Sequence, residues 1–492
     1  MKAKLLFLTL SAIILYSCSS NVPEQNKLWL NDFEILKEEM VRGYANLKHA
    51  SEKENMNLVE LNDSTILKLR ASKTKEEAQK IIKIFLRKFK DGHLRASIIE
   101  EKNITDESEI KEPVVDYPKS TEQDSIALNK MDFEDKKLKT RISFDSISGY
   151  TPLSSKNNPF SAGIIKSKNN KIGVLRIKIF MPYWFWETSK SVWKDYRKTF
   201  EGNCDGDCQW SFLQEVERKL TNKLIERIHE FKNEGISALM IDVSSNGGGT
   251  EWCNVVAQLF ANKDLKHLNA SFIKHEHWKN RLENHLKSIV IDLENPIIKN
   301  QLKKKLRKFK LLIEDLISKT DETCSANEVW EKHNTSCLEL IKNPIVSHLP
   351  FGISEDPQYS ELESKQMLSL NRFSSYEKKV YDGPLFIVQD RYSGSATEEF
   401  NSLLQANDPA VIVGENSYGA GCGYTNGGIK TDLNNIGLSV RMPDCARFMK
   451  DGRNEIYSIQ PDIRVHWNKE ESKFEKGEKI INSVIEYINN KS

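Results

Sequence analysis

The chain has 492 residues, and its 72 lysines and arginines nearly balance its 70 aspartates and glutamates, which leaves a formal net charge of +2. This balance argues against a general nucleic-acid-binding protein, because such proteins normally carry a basic excess. Hydrophobic residues make up 39% and charged residues 29%, an ordinary globular mixture, and the length is sufficient for two or three domains.

Residues 1–18 are predicted to be a lipoprotein signal peptide. Lys2 and Lys4 precede an apolar run of about a dozen residues, which is too short to span a bilayer at roughly 20 residues per helix and is typical of a signal-peptide core. The run ends before Ser17 and Cys18, and this end resembles a bacterial lipobox, in which the cysteine is lipidated and becomes the mature N-terminus. An ordinary cleaved secretory signal is the alternative. Both predict export, and lipidation of Cys18 would anchor the protein to a membrane of the cell envelope.

Lipidation of Cys18 would leave seven of the eight cysteines in an oxidising compartment. Two pairs are close in sequence, Cys204 with Cys208 and Cys324 with Cys337, and each could form a local disulfide. A zinc knuckle at the first pair is the alternative, although no second pair with histidine spacing accompanies it. The odd number implies at least one free thiol, and the other pairings stay open.

Two segments precede the predicted catalytic core. Residues 19–98 are predicted to form a helical N-terminal region, because apolar residues recur at helical spacing between residues 28 and 40 and between residues 78 and 86. Residues 99–164 are charged, are interrupted by proline, serine and asparagine, and show weak periodicity. They are predicted to be an irregular linker or a small subdomain.

An α/β pattern occupies residues 165–262 and 381–470. The predicted strands cover residues 172–179, 238–243, 385–388 and 411–413, and the predicted helices cover residues 212–231 and 397–405. This alternation implies parallel pairing, and sites in such sheets lie in loops beyond the carboxyl ends of the strands. A glycine-rich loop at residues 244–249 and the loop that contains Ser395 both follow predicted strands.

Residues 263–380 interrupt this pattern with a helix-rich, lysine-rich insertion. The basic cluster at residues 303–308 covers an apolar helix face and is interpreted as a solvated surface, with a membrane-surface or substrate-docking role as the alternative. The insertion also contains His275, His277 and His285. They do not share one helix face, so we expect solvent-exposed histidines rather than a metal site. Residues 471–492 are predicted to form a C-terminal helix.

Three separated segments resemble the C-terminal processing peptidase, or tail-specific protease, family of serine peptidases. The segments are Lys-Asp-Gly-His-Leu at residues 90–94, the strand and Asn-Gly-Gly-Gly loop at residues 241–249, and a stretch from residues 390–400 through residues 413–415 to residues 460–463. The resemblance implies a crotonase-like ββα core within the α/β fold. It also implies a peptidase that works through an acyl-enzyme intermediate and needs no metal or organic cofactor.

The family's nucleophile is the serine of a Ser-Ala-Ser/Thr-Glu run, which corresponds to Ser395 in this sequence. At a strand-to-helix turn its hydroxyl can face a cleft, and the N-terminus of the following helix favours developing negative charge. Ser393 is the competing candidate. A third interpretation is that both serines only cap the helix.

A serine nucleophile needs a base at neutral pH. Much of the bacterial branch uses a lysine, but Ala420 stands at that position here. The sequence is instead similar to the branch shared by the tricorn core and chlamydial protease-like factor, which uses Ser, His and Glu. That resemblance assigns His93 as the base and Glu455 as the acid that orients it. The roles are chemically coherent, because imidazole titrates near neutrality and a carboxylate stabilises imidazolium.

The glycine loop supplies the predicted oxyanion hole. Glycine permits positive φ and close backbone approach, so its N–H groups can point at an oxyanion. The family resemblance assigns the donors to Gly248 or Gly247 together with Ala396. A turn without a catalytic task is the alternative. The sequence is not a phosphate-binding loop, because Thr250 and Glu251 stand where Lys and Ser/Thr would be required.

The sequence therefore predicts an exported, lipid-anchored serine endopeptidase that acts on peptide or protein substrates and does not bind nucleic acid. The alternative is an inactive peptidase-fold protein that binds peptide or an apolar ligand at the envelope, and the distance between His93 and Ser395 should discriminate the two. A third interpretation is a basic adaptor that uses the insertion at residues 263–380 to bind partners or membrane, and it does not exclude the peptidase. No peptide-binding module of the PDZ kind is recognisable before residue 171, so recognition of free C-terminal tails is not expected.

Overall fold

The computed structural model describes residues 22–491 except residues 100–120, 343–349, 365–378 and shorter gaps at 168, 201–203, 205, 262–264, 266–267, 323, 354–355, 408–409 and 425–427. The predicted signal peptide and Cys18 lie outside the described residues. Within the described ranges, no helix has the length and apolar character needed to cross a membrane.

The strands in chain order are β1 (Arg95–Ile98), β2 (Tyr150–Pro152), β3 (Ala162–Lys166), β4 (Lys171–Arg176), β5 (Ala238–Asp242), β6 (Asn269–Phe272), β7 (Ile341–Lys342), β8 (Leu385–Gln389), β9 (Ala410–Gly414), β10 (Ile429–Leu433), β11 (Leu438–Met442), β12 (Cys445–Phe448) and β13 (Ile463–Arg464). The α-helices are α1 (Glu24–Gly43), α2 (Leu47–Glu52), α3 (Leu58–Ala71), α4 (Lys75–Arg87), α5 (Thr121–Lys130), α6 (Trp186–Tyr196), α7 (Gly206–Asn233), α8 (Trp252–Gln258), α9 (Glu276–Glu294), α10 (Asn300–Ser318), α11 (Ala326–Trp330), α12 (Ala396–Asn407) and α13 (Lys473–Lys491).

A seven-stranded sheet in the order β13-β9-β8-β5-β4-β3-β2 forms the centre of the fold. The strands from β13 to β4 are parallel, and β3 and β2 are added antiparallel. Successive residues of β5 face opposite layers: Leu239 packs with α7, α8 and α12, whereas Met240 packs with α13. Every residue of β5 and β8 is buried, as expected for a parallel sheet covered on both faces. The α/β prediction is confirmed.

The sheet begins earlier in the chain than the sequence pattern indicated. Strand β2 and most of β3 precede residue 165, so part of the predicted irregular region at residues 99–164 belongs to the central sheet. Strand β2 is only three residues long and ends at Pro152, which is tolerated because β2 lies at the edge of the sheet. Such a short strand carries too little alternation to be recognised from sequence.

The N-terminal region is helical, as predicted, and is joined to the core by a second sheet. Phe33 of α1 and Phe85 of α4 pack edge to face with their ring centroids 5.1 Å apart. The same cluster includes Leu438 and Val440 of β11, the middle strand of the antiparallel sheet β1-β11-β10. The helices are therefore fixed against the C-terminal half of the chain.

The insertion is partly helical and partly attached through strands. Helices α9 and α10 share a hydrophobic cluster that includes Leu282, Leu302 and Phe309. Strand β6, within the insertion, pairs with both β12 and β7. The segment at residues 263–380 is therefore joined to the C-terminal half of the chain by backbone hydrogen bonds.

Six of the described cysteines form disulfides, which pair Cys204 with Cys208, Cys324 with Cys337, and Cys422 with Cys445. The first two are the sequence-local pairs, and the first leaves no thiolates for a zinc knuckle. The third pairing was not predicted. Cys253 is the free, buried thiol among the described cysteines.

The histidines of the insertion are not exposed as expected. His285 is buried, and the Nε2 atom of His277 lies 3.0 Å from Asp444 Oδ2. The Nδ1 atoms of His275 and His277 are 2.8 Å apart. His275 and His277 are partly buried at the start of α9, where His277 faces Asp444, a consequence of tertiary structure that helix periodicity alone does not reveal. The described residues contain no cluster of three or more potential metal ligands.

Candidate active site

Three loops meet at the carboxyl edge of the central sheet. The glycine loop at residues 244–249 follows β5, the turn at residues 390–395 follows β8, and the loop at residues 415–421 follows β9. Because β5, β8 and β9 are parallel neighbours, the three loops lie side by side. His93 reaches this edge from the turn between α4 and β1, and Glu455 from a 3-10 turn at Glu455–Tyr457.

Ser395 occupies a strained position directly before α12. Its φ of 57° lies in the left-handed region, which costs a non-glycine residue on the order of 1–3 kcal/mol. The Ser395 N–H donates to Glu398 Oε2 at 2.9 Å, which fixes the turn. The side chain is partly exposed, and its hydroxyl makes no hydrogen bond with the described residues. A sharp strand-to-helix turn with an unengaged hydroxyl is the arrangement expected of a nucleophile elbow.

Ser393 is engaged in holding the turn together. It is completely buried, and its hydroxyl donates to the Val243 carbonyl at 2.9 Å while it accepts from the Asp390 N–H at 3.0 Å. Asp390 in turn accepts from the N–H and the hydroxyl of Ser245 at 2.7 and 2.9 Å. These bonds lock the Ser395 turn to the glycine loop, so the alternative that makes Ser393 the nucleophile is disfavoured.

The glycine loop touches the residues around Ser395. A Cβ atom added to Gly248, whose φ is 103°, would lie 2.7 Å from Ala396 N and from Ser395 Cβ, so only glycine fits there. Gly248 is not available as an oxyanion donor in this conformation, because its N–H already donates to Asn246 Oδ1 at 3.0 Å. The N–H of Ala396 and that of the exposed Gly247 donate to no acceptor among the described residues. Ala396 is also the first residue of α12, where the helix dipole favours negative charge.

His93 is buried in a turn that its neighbours define. Its N–H donates to Asp91 Oδ1 at 3.0 Å, and the Gly92 N–H donates to the Gly419 carbonyl at 3.0 Å. Burial, assisted by the positive charges of Arg95 and Arg447, lowers the pKa of His93 to about 4. The ring is therefore neutral at pH 7, the form that can accept a proton. Its Nδ1 atom is buried and has no hydrogen-bond partner in the described part of the chain.

Glu455 is completely buried and is bonded to Arg447. The Arg447 Nη1 atom lies 3.3 and 3.2 Å from the two Glu455 carboxylate oxygens. Burial raises the pKa of Glu455 above its ordinary value, Arg447 opposes this shift, and the charges of Glu398 and Glu399 add to it. The structure does not bond Glu455 to His93, nor His93 to Ser395, although all three residues lie at the same edge of the sheet.

One loop contacts the turns of all three residues. Tyr418 N–H donates to the Ser393 carbonyl at 2.9 Å, and the Gly419 carbonyl accepts from the His93 turn. A Cβ atom on Gly419, whose φ is 79°, would lie 2.6 Å from the Ile456 carbonyl beside Glu455. We refer to residues 417–421 as the central loop. Ala420 lies within it, buried, so no lysine base occupies this position.

The family comparison covers the part of the chain that contains Ser395 and Glu455. The model of peptidase family S41 matches residues 171–465, which is more than half of the chain. The chain belongs to peptidase family S41. It is accordingly a serine peptidase. His93 precedes the matched range, so the family match itself does not include the proposed base.

Two solved structures of CPAF share the fold of this S41 peptidase. Mature CPAF is 15% identical, with 95% of this chain and 98% of that chain covered and a TM-score of 0.53. CPAF complexed with lactacystin is 14% identical, with coverage of 95% and 99% and a TM-score of 0.52. A peptidase structure from Parabacteroides merdae is 14% identical, with coverage of 93% and 96% and a TM-score of 0.43. No curated protein matches the chain.

Sequence reasoning missed several side chains of the S41 peptidase that build the site. Glu398 is buried and accepts from Ser395 N–H, Ser417 Oγ, Gly419 N–H and Ala420 N–H, and burial raises its pKa. Asn246 is buried, and its backbone carbonyl accepts from Gly394 N–H at 3.0 Å. Glu398 and Asn246 both lie within the family motifs, which could have drawn attention to them. Only the structure shows which groups they hydrogen-bond. Nothing in the sequence distinguishes Arg447.

Proposed function

We propose that this S41 peptidase is an exported, lipid-anchored serine endopeptidase in which His93 activates Ser395 and Glu455 orients His93. The observation that carries the proposal is the central loop, which packs against the turns of all three residues and has Ala420 where a Ser-Lys enzyme has its base. The proposal places the chain in the Ser-His-Glu branch of the family.

In the proposed reaction His93 accepts the proton of the Ser395 hydroxyl while Oγ attacks the peptide carbonyl carbon. The C–O bond forms, and the carbonyl oxygen becomes an oxyanion that the Ala396 and Gly247 N–H groups can stabilise. Collapse breaks the C–N bond, with the proton passing from His93 to the leaving amine. Water then hydrolyses the acyl-enzyme with His93 again as base. Each oxyanion donor is worth about 10²–10³ in rate.

The conformation described here corresponds to a resting state in this proposal. Catalytic hydrogen bonds are often long or poorly aligned in unliganded enzymes and tighten only when the substrate is bound. The unpartnered Nδ1 of His93 is the atom at which Glu455 would act, after exchanging Arg447 for the imidazole. A carboxylate at that position would raise the pKa of His93 and stabilise the imidazolium.

Export and lipid anchoring are proposed from the signal at residues 1–18 and from Cys18. The three disulfides support export, because disulfides persist in oxidising compartments and are rare in the cytosol. Metabolic labelling of the producing cells with a palmitate analogue should tag the natural chain and leave the Cys18→Ser variant untagged.

Cleavage of an unstructured protein such as casein tests the peptidase assignment. The natural chain should cleave casein, and Ser395→Ala should abolish cleavage. Ser393→Ala is the matched control two residues away, and it should lower stability while it leaves measurable cleavage. Cleavage that survives Ser395→Ala would refute the assignment.

The second candidate function is an inactive peptidase-fold binding protein. The observation in its favour is that Ser395 and His93 are not hydrogen-bonded and Glu455 is held by Arg447. Binding of a casein-derived peptide without cleavage, by the natural chain and by Ser395→Ala alike, would support this function. Lactacystin, present in the CPAF complex, is a second probe, because an active Ser395 should form an adduct with it.

A further inference from the structure

We infer that Asn46 is a positioning residue that sets the placement of the His93 turn relative to the Glu455 turn. The inference rests on the proposed function for its catalytic meaning. Asn46 lies directly before α2 in the N-terminal helical region, far from both turns in sequence and outside the part of the chain that the family model matches.

The side chain of Asn46 links the two turns through a continuous row of hydrogen bonds. Its Nδ2 donates to Asp91 Oδ2 at 2.9 Å, and its Oδ1 accepts from Asn454 Nδ2 at 2.7 Å. Asp91 in turn accepts from the His93 N–H at 3.0 Å through Oδ1. Asn454 accepts from the Ile456 N–H at 3.2 Å and so caps the turn that begins at Glu455.

Burial makes this row a constraint. Asn46 is 0% exposed, Asn454 is 1% exposed and Asp91 is 7% exposed, so water does not substitute for a lost partner. Tyr44, from the same segment, adds a hydroxyl 3.3 Å from Asp91 Oδ2. A polar network that is completely satisfied and buried holds its members in one geometry.

Only an amide meets the requirements at this position. The group must donate to an acceptor-only carboxylate at one end and accept from an amide N–H at the other. Aspartate has the same shape but offers no donor when it is ionised, and alanine offers neither group. The helical N-terminal region therefore does more than precede His93 in the chain. Through Asn46 it also fixes the distance between the turn of the base, His93, and the turn of the acid, Glu455.

The Asn46→Asp variant gives this role a distinctive pH signature. The new carboxyl would lie about 2.9 Å from Asp91, and two carboxylates this close do not both ionise, so the pair retains one proton at acidic pH. That proton restores the donor. Since burial already raises the pKa of Asp91 to about 6, we expect the pair to lose its shared proton only above that value. The bond to Asp91 is then broken and replaced by repulsion.

The experiment measures kcat and KM for casein-derived peptide cleavage by the natural chain and by Asn46→Asp between about pH 5.5 and about pH 8.5. The ratio of variant to natural kcat should fall at least about tenfold as the pH rises, with KM changed far less, because misplaced catalytic groups affect the chemical step. The control is Asn26→Asp, another buried asparagine of the N-terminal helices, whose Nδ2 donates to the Leu69 and Ser72 carbonyls. Its ratio should not depend on pH in this way.

A second variant and a second readout keep the test decisive. If Asn46→Asp does not fold, Asn454→Asp removes the other bond of the row, and its ratio should fall with pH in the same sense. In parallel, an NMR titration follows the chemical shifts of the His93 ring. In Asn46→Asp these shifts should differ from those of the natural chain at high pH and match them at low pH. This readout needs no peptidase activity, so it separates failure of the inference from failure of the proposed function. Equal effects of Asn46→Asp and Asn26→Asp at every pH, or an unchanged His93 ring, would overturn the inference.

Discussion

The guanidinium of Arg447 holds the carboxylate of Glu455, with Nη1 3.3 and 3.2 Å from its two oxygens. The same side chain reaches Glu399 in the first turn of α12, with Nη2 3.1 Å from Oε2. The Arg447 cation, which is 13% exposed, is therefore shared by two acids, one of which is proposed to orient His93. This relationship makes Arg447 the link between the helix of the nucleophile and the turn of the acid.

Removing Arg447 should destabilise the protein strongly. Arg447→Ala leaves Glu455 buried without its partner, and breaking a buried ion pair in this way typically costs about 3–5 kcal/mol. Urea unfolding should show a corresponding loss in the free energy of unfolding. The matched control is Arg453→Ala, whose partly exposed pair with Asp451 should be worth less than about 1 kcal/mol. Equal losses for the two variants would contradict the buried pairing.

The acid limb of the pH–rate profile should report the lowered pKa of His93. A base with a pKa of about 4 in the free enzyme keeps kcat/KM active well below the ordinary histidine value of about 6.5. Arg95→Gln removes an exposed charge that contributes to the lowering, so its acid limb should move to higher pH. Arg218→Gln, on the surface of α7, should leave the limb in place. If the acid limb of the natural chain's kcat/KM profile has its midpoint at or above about pH 6.5, the His93 ring of the free enzyme is not buried in this way.

Glu398 should matter for both stability and rate. Its carboxylate accepts four donors, and the amide of Glu398→Gln would place an N–H against at least one of them. A buried donor left unsatisfied costs about 1–3 kcal/mol. Displacement of the Ser395 turn should lower kcat by up to about 10², since small misplacements near the chemistry carry such penalties. Glu478→Gln, on the exposed face of α13, should change neither quantity, and an unchanged kcat for Glu398→Gln would contradict the role of Glu398 in holding the turn.

The contact between Gly92 and Tyr418 can be tested by a double substitution. A Cβ atom on Gly92 would lie 2.3 Å from Tyr418 Cε1, so Gly92→Ala must displace the ring or the His93 turn. We expect a loss in kcat/KM of about tenfold or more. Tyr418 is 54% exposed, and Tyr418→Ala removes the ring that the new Cβ would meet, whereas the Ala420 Cα atom stays 3.0 Å from that Cβ, so the double variant should recover part of the loss. Additive losses in the double variant would rule out the clash as the cause.

The disulfide between Cys422 and Cys445 should stabilise the central loop. It closes a longer segment than the disulfide between Cys204 and Cys208, with sequence separations of 23 and 4. In the chain-entropy treatment these loops correspond to about 3 and about 2 kcal/mol. Replacing both Cys422 and Cys445 by alanine should therefore lower the free energy of unfolding in urea more than replacing both Cys204 and Cys208. Only the replacement of Cys422 and Cys445 should also lower kcat, because only that disulfide adjoins the central loop.

The elements with strong periodicity were predictable, and so was their consequence for Ser395. The runs at residues 385–388 and 397–405 predict a strand and a helix, and this places Ser395 at the turn between them. The connections between distant residues were not predictable. Sequence spacing does not show that the Asn246 side chain accepts a hydrogen bond from the Gly248 N–H, or that Arg447 pairs with Glu455. These contacts depend on how loops pack after the sheet has formed, and no local pattern encodes them.

Mass spectrometric localisation of a fluorophosphonate adduct tests the assignment of the nucleophile and its base most directly. The natural chain should acquire one adduct, on Ser395, and His93→Gln should slow its formation by about 10²–10⁴, the usual contribution of a general base. An adduct on Ser393, or a rate that His93→Gln leaves unchanged, would contradict the mechanism proposed for this peptidase.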